Sequence, residues 1–125
     1  MATRRQRRVS ELVHRELSLL LMREIRDPRV SDVTITEVRI TPDLLIARVY
    51  FSILGDTEAG KEALAGLESA TGFLRTQLGA RLSLRFVPEL IFEPDESAEY
   101  GRRIDELLDQ IAGEQATTDG SESTR

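Results

Sequence analysis

The sequence predicts a two-layer α+β domain in which a three-stranded sheet carries helices on one side. Three observations predict it. Residues 4–26 place apolar side chains at helical spacing, two alternating segments flank Thr41-Pro42-Asp43, and a long helical stretch leads into a third alternating run. In chain order this reads α-β-β-α-(kink)-α-β, with one more helix at the C-terminal end. A length of 125 residues suits one domain, expected over residues 1–112, followed by an acidic tail over 113–125.

The first helix is expected from Arg4 to Arg26. Thr3 and Gln6 fit a capping box at its start. Val9, Leu12, Val13, Leu17, Leu20 and Leu21 form the apolar stripe, and Asp27-Pro28 closes the helix because the residue before proline avoids helical angles. Glu16 falls inside that stripe, so a paired carboxylate with an arginine partner is expected there. In the first strand Val33 and Ile35 alternate in one phase and Val38 and Ile40 in the other, which predicts a bulge near Glu37. The second strand, Leu44 to Leu54, puts Ala47, Val49, Phe51 and Ile53 on the buried face.

Asp56 is the expected N-cap of the next helix, whose buried side carries Leu64 and Leu67. The phase then changes at Ala70-Thr71-Gly72. A kink there would let Phe73, Leu74 and Leu78 face the core together, with Gly79 as C-cap. The third strand is expected over Ser83–Glu93, at a sheet edge or bulged because Pro88 has no N–H to donate. A last amphipathic helix is expected from Ser97, with Tyr100, Ile104, Leu107, Leu108 and Ile111 on its apolar side. The polar residues 114–125 read as a disordered tail.

Composition narrows the chemistry. There is no cysteine, so disulfides, cysteine-held zinc and thiol catalysis are excluded. His14, the single histidine, has no second imidazole or thiol with which to hold a metal. Phosphate-loop and dinucleotide motifs are absent from the sequence. Asp95, Glu96 and Glu99 could suggest a cation, but they also suit the positive end of the following helix. No cofactor and no metal are therefore expected. The apolar run Leu19–Met22 is too short for a signal core or a membrane span, and a cytoplasmic protein is expected.

Net charge is −5, yet it is unevenly spread. Residues 1–29 hold eight arginines against four acidic residues, while residues 93–125 hold three against ten. A basic head on an acidic chain can dock on a polyanion in one orientation while overall repulsion opposes indiscriminate binding. Of the seventeen basic residues sixteen are Arg. This reflects either the coding bias of the source genome or the two-pronged grip of guanidinium on phosphate. At about 100° per residue, Arg4, Arg8, Arg15 and Arg26 share one narrow sector opposite the apolar stripe, flanked by Arg5 and Arg7.

Seven segments resemble the ribosome-binding factor A family. They are Arg8-Val9-Ser10-Glu11-Leu12, Glu24-Ile25-Arg26-Asp27-Pro28-Arg29-Val30, Ala47-Arg48-Val49-Tyr50-Phe51, Ala70-Thr71-Gly72-Phe73-Leu74-Arg75, Leu78-Gly79-Ala80-Arg81-Leu82, Val87-Pro88-Glu89-Leu90 and Pro94-Asp95-Glu96-Ser97. The resemblance covers roughly residues 4–110. It implies a type II KH-like fold in which the Ala70-Thr71-Gly72 kink stands where other KH domains have an open GxxG loop. It further implies a non-catalytic assembly factor that binds the immature 30S subunit near its decoding region. Such a factor aids maturation of the 5′ end of 16S rRNA and matters for growth in the cold.

The partners so implied are the 30S subunit and its 16S rRNA, with room for other assembly factors, and the factor is expected to act as a monomer. The residues expected to touch RNA are Arg4, Arg5, Arg7, Arg8 and Arg15, the tripeptide Ala70, Thr71 and Gly72, and Arg75, Arg81 and Arg85. A protein–protein module docking on a ribosomal protein or another acidic partner is the competing class. A small nuclease is a third, lacking any evident carboxylate pair or histidine at a phosphate site.

Overall fold

A computed structural model describes residues 2–96. Contacts divide the chain into two units, Met1–Asp95 and Glu96–Arg125, and the elements below belong to the first. They are α1 (Arg4–Arg23), a 3-10 turn (Pro28–Val30), β1 (Val33–Ile40), β2 (Ile46–Ile53), α2 (Thr57–Leu82) and β3 (Glu89–Pro94). The sheet order is β1-β2-β3. β1 and β2 form an antiparallel hairpin, while β3 runs parallel to β2, which requires the crossover that α2 supplies. The expected final helix and acidic tail lie outside the described residues.

The core sits between the helices and one face of the sheet, with α1 over β1 and α2 over β3. Val13, Leu17 and Leu20 from α1 meet Ala47, Val49 and Phe51 from β2 and Leu67, Leu74 and Leu78 from α2, all essentially solvent-free. Each such Leu or Phe contributes about 1.5–3 kcal/mol by leaving water. The alternation foreseen for β2 is the one that packs, with Ile53 half-buried at its end. The register of β1 slips between Ile35 and Glu37, leaving Thr36 as the extra residue of a bulge. His14 sits opposite that break, with Nε2 3.0 Å from the carbonyl of Ile35. A carbonyl only accepts, so this imidazole nitrogen is the donor, and the histidine fastens α1 to the sheet.

Three boundaries differ from the sequence-based expectation, each for a local reason. α1 stops at Arg23, not Arg26, because the chain becomes extended by Asp27 and Asp27 is then used to cap the 3-10 turn. β2 begins at Ile46, not Leu44, because Leu44 has a left-handed φ of 63° in the turn, where Thr41 and Asp43 hold the backbone N–H groups of Ile46 and Leu45. β3 begins at Glu89, not Ser83. Pro88 is buried just ahead of it, so the missing N–H falls outside the ladder. β3 is an edge strand, as Pro88 suggested.

The largest difference is α2. It is one helix through Ala70-Thr71-Gly72, where two helices about a kink were expected. Its buried residues Ala63, Leu67, Leu74 and Leu78 keep the spacing of a single unbroken stripe, so the core rewards continuity. Gly72 costs the helix only about 1 kcal/mol, too little to break it against that packing. Phe73 consequently does not join Leu74 and Leu78 in the core; it lies on the outer flank, 43% exposed. Gly79 is not the C-cap either. The helix continues to Leu82, Ser83 closes it with φ 51°, and Gly79 instead lets Val87 approach closely.

Asp27 gives this part of the fold a dependence on acidity. Its carboxylate accepts from the backbone N–H of Arg29 at 2.9 Å and pairs with the Arg29 guanidinium at 2.7 Å. The side-chain hydrogen bond from Arg29, aided by the backbone one, holds Asp27 below the ordinary carboxylate value of 3.8. A depressed carboxyl stabilises the fold above 3.8 and loses that contribution as pH falls through its lowered folded-state value. Asp27→Asn should therefore lower the urea midpoint at pH 7, with the gap to the parent closing as pH drops below 3.8. A gap unchanged at low pH would show that the charge of Asp27 contributes nothing.

Candidate RNA-binding surface

The amino-terminal end of α1 is fastened before any of its arginines can be placed. Gln6 accepts from the Thr3 N–H through Oε1 at 2.8 Å and donates its own N–H to the Thr3 hydroxyl at 3.1 Å, completing the capping box. Its Nε2 then donates to the carbonyl of Ile40 at 3.0 Å, in a buried position at the end of β1. A glutamate could cap the helix but has no N–H for Ile40, so an amide is required here. With Gln6 held inward, Arg4, Arg7 and Arg8 face outward.

Arg4, Arg7, Arg8 and Arg15 line one shallow groove of about 450 Å³ along the solvent side of α1. Glu11 and Leu12 complete it, so four guanidinium groups face one carboxylate. Glu11 was not anticipated there, although its helical angle places it beside Arg4 and Arg15. Arg26, which the sequence put in the same sector, leaves it because the helix has already ended. The first turn of α1 contains no acidic residue. Arginines crowded at the positive end of a helix dipole are locally unfavourable, and a bound polyanion reverses the sign of that effect.

Arg5 lies on the neighbouring flank of α1 and, with Arg85, lines a second cleft between the β1–β2 turn and the α2–β3 loop. Two other candidates make contacts within the fold. Arg75 donates through Nε to the carbonyl of Pro88 at 3.0 Å and through Nη2 to that of Val87 at 2.9 Å, anchoring the α2–β3 loop. Arg81 lies 3.5 Å from Glu16, joining α2 to α1, with Arg15 on the same carboxylate at 3.9 Å. Glu16, whose side chain is 13% exposed, thus has the arginine partner that its place in the apolar stripe demanded.

Ala70 and Thr71 are half-buried and Gly72 is exposed, all within helical turns of α2. The Thr71 hydroxyl donates to the carbonyl of Leu67 at 3.0 Å. Helical hydrogen bonding already occupies the backbone N–H groups here, so the segment does not offer RNA the open cradle of a GxxG loop. Gly72 does offer an outer partner close approach, because the space beside its Cα is open. Among the described residues no group of three acidic or imidazole side chains is placed to hold a metal, and no helix is long and apolar enough to cross a membrane. Asp95, one of the acidic residues noted in the sequence, accepts the hydroxyl of Thr36. Sequence reasoning missed Phe86 and Leu45, both exposed in the second cleft. Reading Ser83–Glu93 as one strand assigned Phe86 to a sheet, and Pro88 was the available signal that the strand starts later.

Residues 5–108 match the ribosome-binding factor A family. A ribosome-binding factor A from Pelobacter propionicus is 46% identical over 121 residues, covering 97% of this chain and 99% of its own. The crystal structure of ribosome-binding factor A from Thermus thermophilus superposes with a TM-score of 0.63 at 27% identity, over 71% of this chain and 94% of that one. A homology model of the Thermus thermophilus ribosome binding factor A, as fitted into a cryo-electron-microscopy map of its 30S complex, has the same fold. Its TM-score is 0.57 at 24% identity, over 77% of this chain and 97% of its own. With the fold of these structures and a family match across nearly the whole described region, the chain belongs to the ribosome-binding factor A family.

Proposed function

We propose that this protein is a non-catalytic assembly factor of the cytoplasm that binds the free, immature 30S subunit and assists maturation of the 5′ end of its 16S rRNA. The observation that carries the reading is the groove of Arg4, Arg7, Arg8 and Arg15 on a helix whose first turn holds no acid. It fits a phosphate backbone in chemistry, and it lies at the basic end of a chain whose net charge of −5 discourages unspecific attachment. Family membership supports the same partner, as does the 30S complex into which the Thermus thermophilus factor was fitted. With helical backbone at residues 70–72 in place of a glycine loop, recognition rests on phosphate contacts and the shape of folded rRNA.

Sedimentation of the full-length protein with purified free small subunits tests this. Binding should weaken steeply between about 50 and 200 mM salt, as phosphate-dominated complexes do. Crosslinking with sequencing on precursor particles should map contacts to 16S rRNA. Crosslinks to ribosomal proteins alone would instead establish a protein-docking module. Pure protein incubated with precursor rRNA should leave it uncut, and cleavage without other factors would overturn the assignment as non-catalytic.

A further inference from the structure

We infer that the second cleft, formed by the start of α1, the β1–β2 turn and the α2–β3 loop, is a site for one unpaired RNA nucleotide, its base stacked on Phe86 and its phosphate held by Arg5 and Arg85. This inference rests on the RNA-docking reading above and adds to it a separate contact of different chemistry. The cleft measures about 300 Å³, the small end of the range for ligand sites.

Phe86 is 65% exposed and Leu45, across the cleft, is 51% exposed. An exposed aromatic ring on a loop offers a flat apolar surface on which a base can stack. The guanidinium carbon of Arg85 lies 5.5 Å from the centre of the Phe86 ring. The cation thus stands over one face of the ring, and a cation stacked with an aromatic is the combination that binds single-stranded nucleic acid by stacking a base on the ring and neutralising its phosphate.

Charge points the same way. Neither Arg5 nor Arg85 has an acidic partner among the described residues. Asp43 is the acidic residue in the lining, and its carboxylate is engaged by the Thr41 hydroxyl at 2.6 Å and the Leu45 N–H at 3.0 Å. Those neutral donors hold Asp43 below its ordinary value of 3.8, with the Thr41 hydroxyl as the main cause. Two unpaired guanidinium groups therefore face one occupied carboxylate, which favours an anion beside an apolar plate over a purely aliphatic side chain.

Both walls are held in place before any ligand arrives. On one side Arg75 binds the carbonyls of Val87 and Pro88, and Pro88 is buried. On the other, Thr41 takes the N–H groups of Leu44 and Ile46 and gives its own to Ile46. The Glu89 N–H donates to the Leu45 carbonyl at 2.8 Å and ties the two walls together. A site fixed this way spends little of its binding energy on ordering.

The test uses the full-length protein and a fluorescein-labelled single-stranded oligoadenylate as probe, beside sedimentation with free small subunits. Phe86→Leu keeps apolar volume but removes the ring, and should weaken oligoadenylate binding about tenfold with its salt slope unchanged. Phe86→Tyr should restore it, and Arg85→Ala should reduce the salt slope by about one unit. Oligoadenylate that binds Phe86→Leu as it binds the parent, or does not bind the parent at all, overturns the site. So does a crosslink from the Phe86 peptide on precursor particles that reaches ribosomal protein and not RNA. Small-subunit sedimentation of the parent protein is read separately: if it persists while the Phe86 variants behave alike, the cleft inference fails and the 30S reading stands.

Discussion

Replacing Arg4 and Arg8 together by Ala is expected to lower affinity for the small ribosomal subunit by roughly a hundredfold and to reduce the salt slope by about two units. Both residues line the groove on α1 and both are exposed. A charge-assisted contact to phosphate contributes about 1.5–3 kcal/mol, so each loss amounts to tenfold or more. Each neutralised phosphate releases condensed counterions, which sets the slope independently of the affinity. The same substitution should not harm the fold. Arg4 and Arg8 stand four residues apart as like charges, at the helix end where positive charge is disfavoured. Ala is also the best helix former. The double variant should thus be as stable as the parent or up to about 1 kcal/mol more stable while binding far less. Thermal unfolding and salt-series sedimentation on one preparation would show the two effects moving in opposite directions. Unchanged binding with an unchanged slope would remove the α1 groove from the interface.

Features that depend on local chemistry were legible from the sequence. The Thr3–Gln6 capping box, the slip in β1, the buried face of β2, the Asp56 cap and the outward arginines of α1 each follow from a few neighbouring residues. Glu16 could be flagged as paired because an apolar stripe cannot hold a lone carboxylate, but Arg81 could not be named, since it arrives from another helix. The reading of α2 failed where local and tertiary signals disagree. Gly72 and Phe73 look like a break when read alone, while Ala63, Leu67, Leu74 and Leu78 form one stripe once the sheet they pack on is known. The division of the arginines was invisible for the same reason. Arg75 and Arg81 are identical in type to Arg85, yet backbone carbonyls and Glu16 claim the first two.

Gly66→Ala is expected to destabilise the protein, whereas Gly60→Ala and Gly72→Ala on the same helix should stabilise it. The three share one propensity effect, since Ala is better than Gly in a helix by about 0.8–1.0 kcal/mol. They differ in what a methyl group would meet. At Gly60 and Gly72 nothing lies within 4 Å, so the propensity gain stands alone and about 0.5–1 kcal/mol should appear as a higher urea midpoint. At Gly66 a Cβ would fall 2.8 Å from Val30 Cγ1, 3.2 Å from Asp27 Oδ2 and 3.3 Å from Arg29 Cβ. Those atoms cannot move freely. Val30 is buried in the core, and Asp27 and Arg29 are bound to each other across the 3-10 turn. Overpacking of this kind costs about 1–3 kcal/mol, which outweighs the propensity gain, and Gly66→Val adds two methyl groups and a β-branch to the same wall. Gly72→Ala also probes function without threatening the fold. Its new methyl points into the open space through which RNA would approach the exposed side of α2. A variant that is more stable yet binds small subunits less tightly puts residue 72 in the interface. One that is more stable with unchanged binding confines RNA contact to the arginines. A Gly66→Ala protein as stable as the Gly72→Ala protein would mean that the 3-10 turn yields easily and does not pin α2 to the domain.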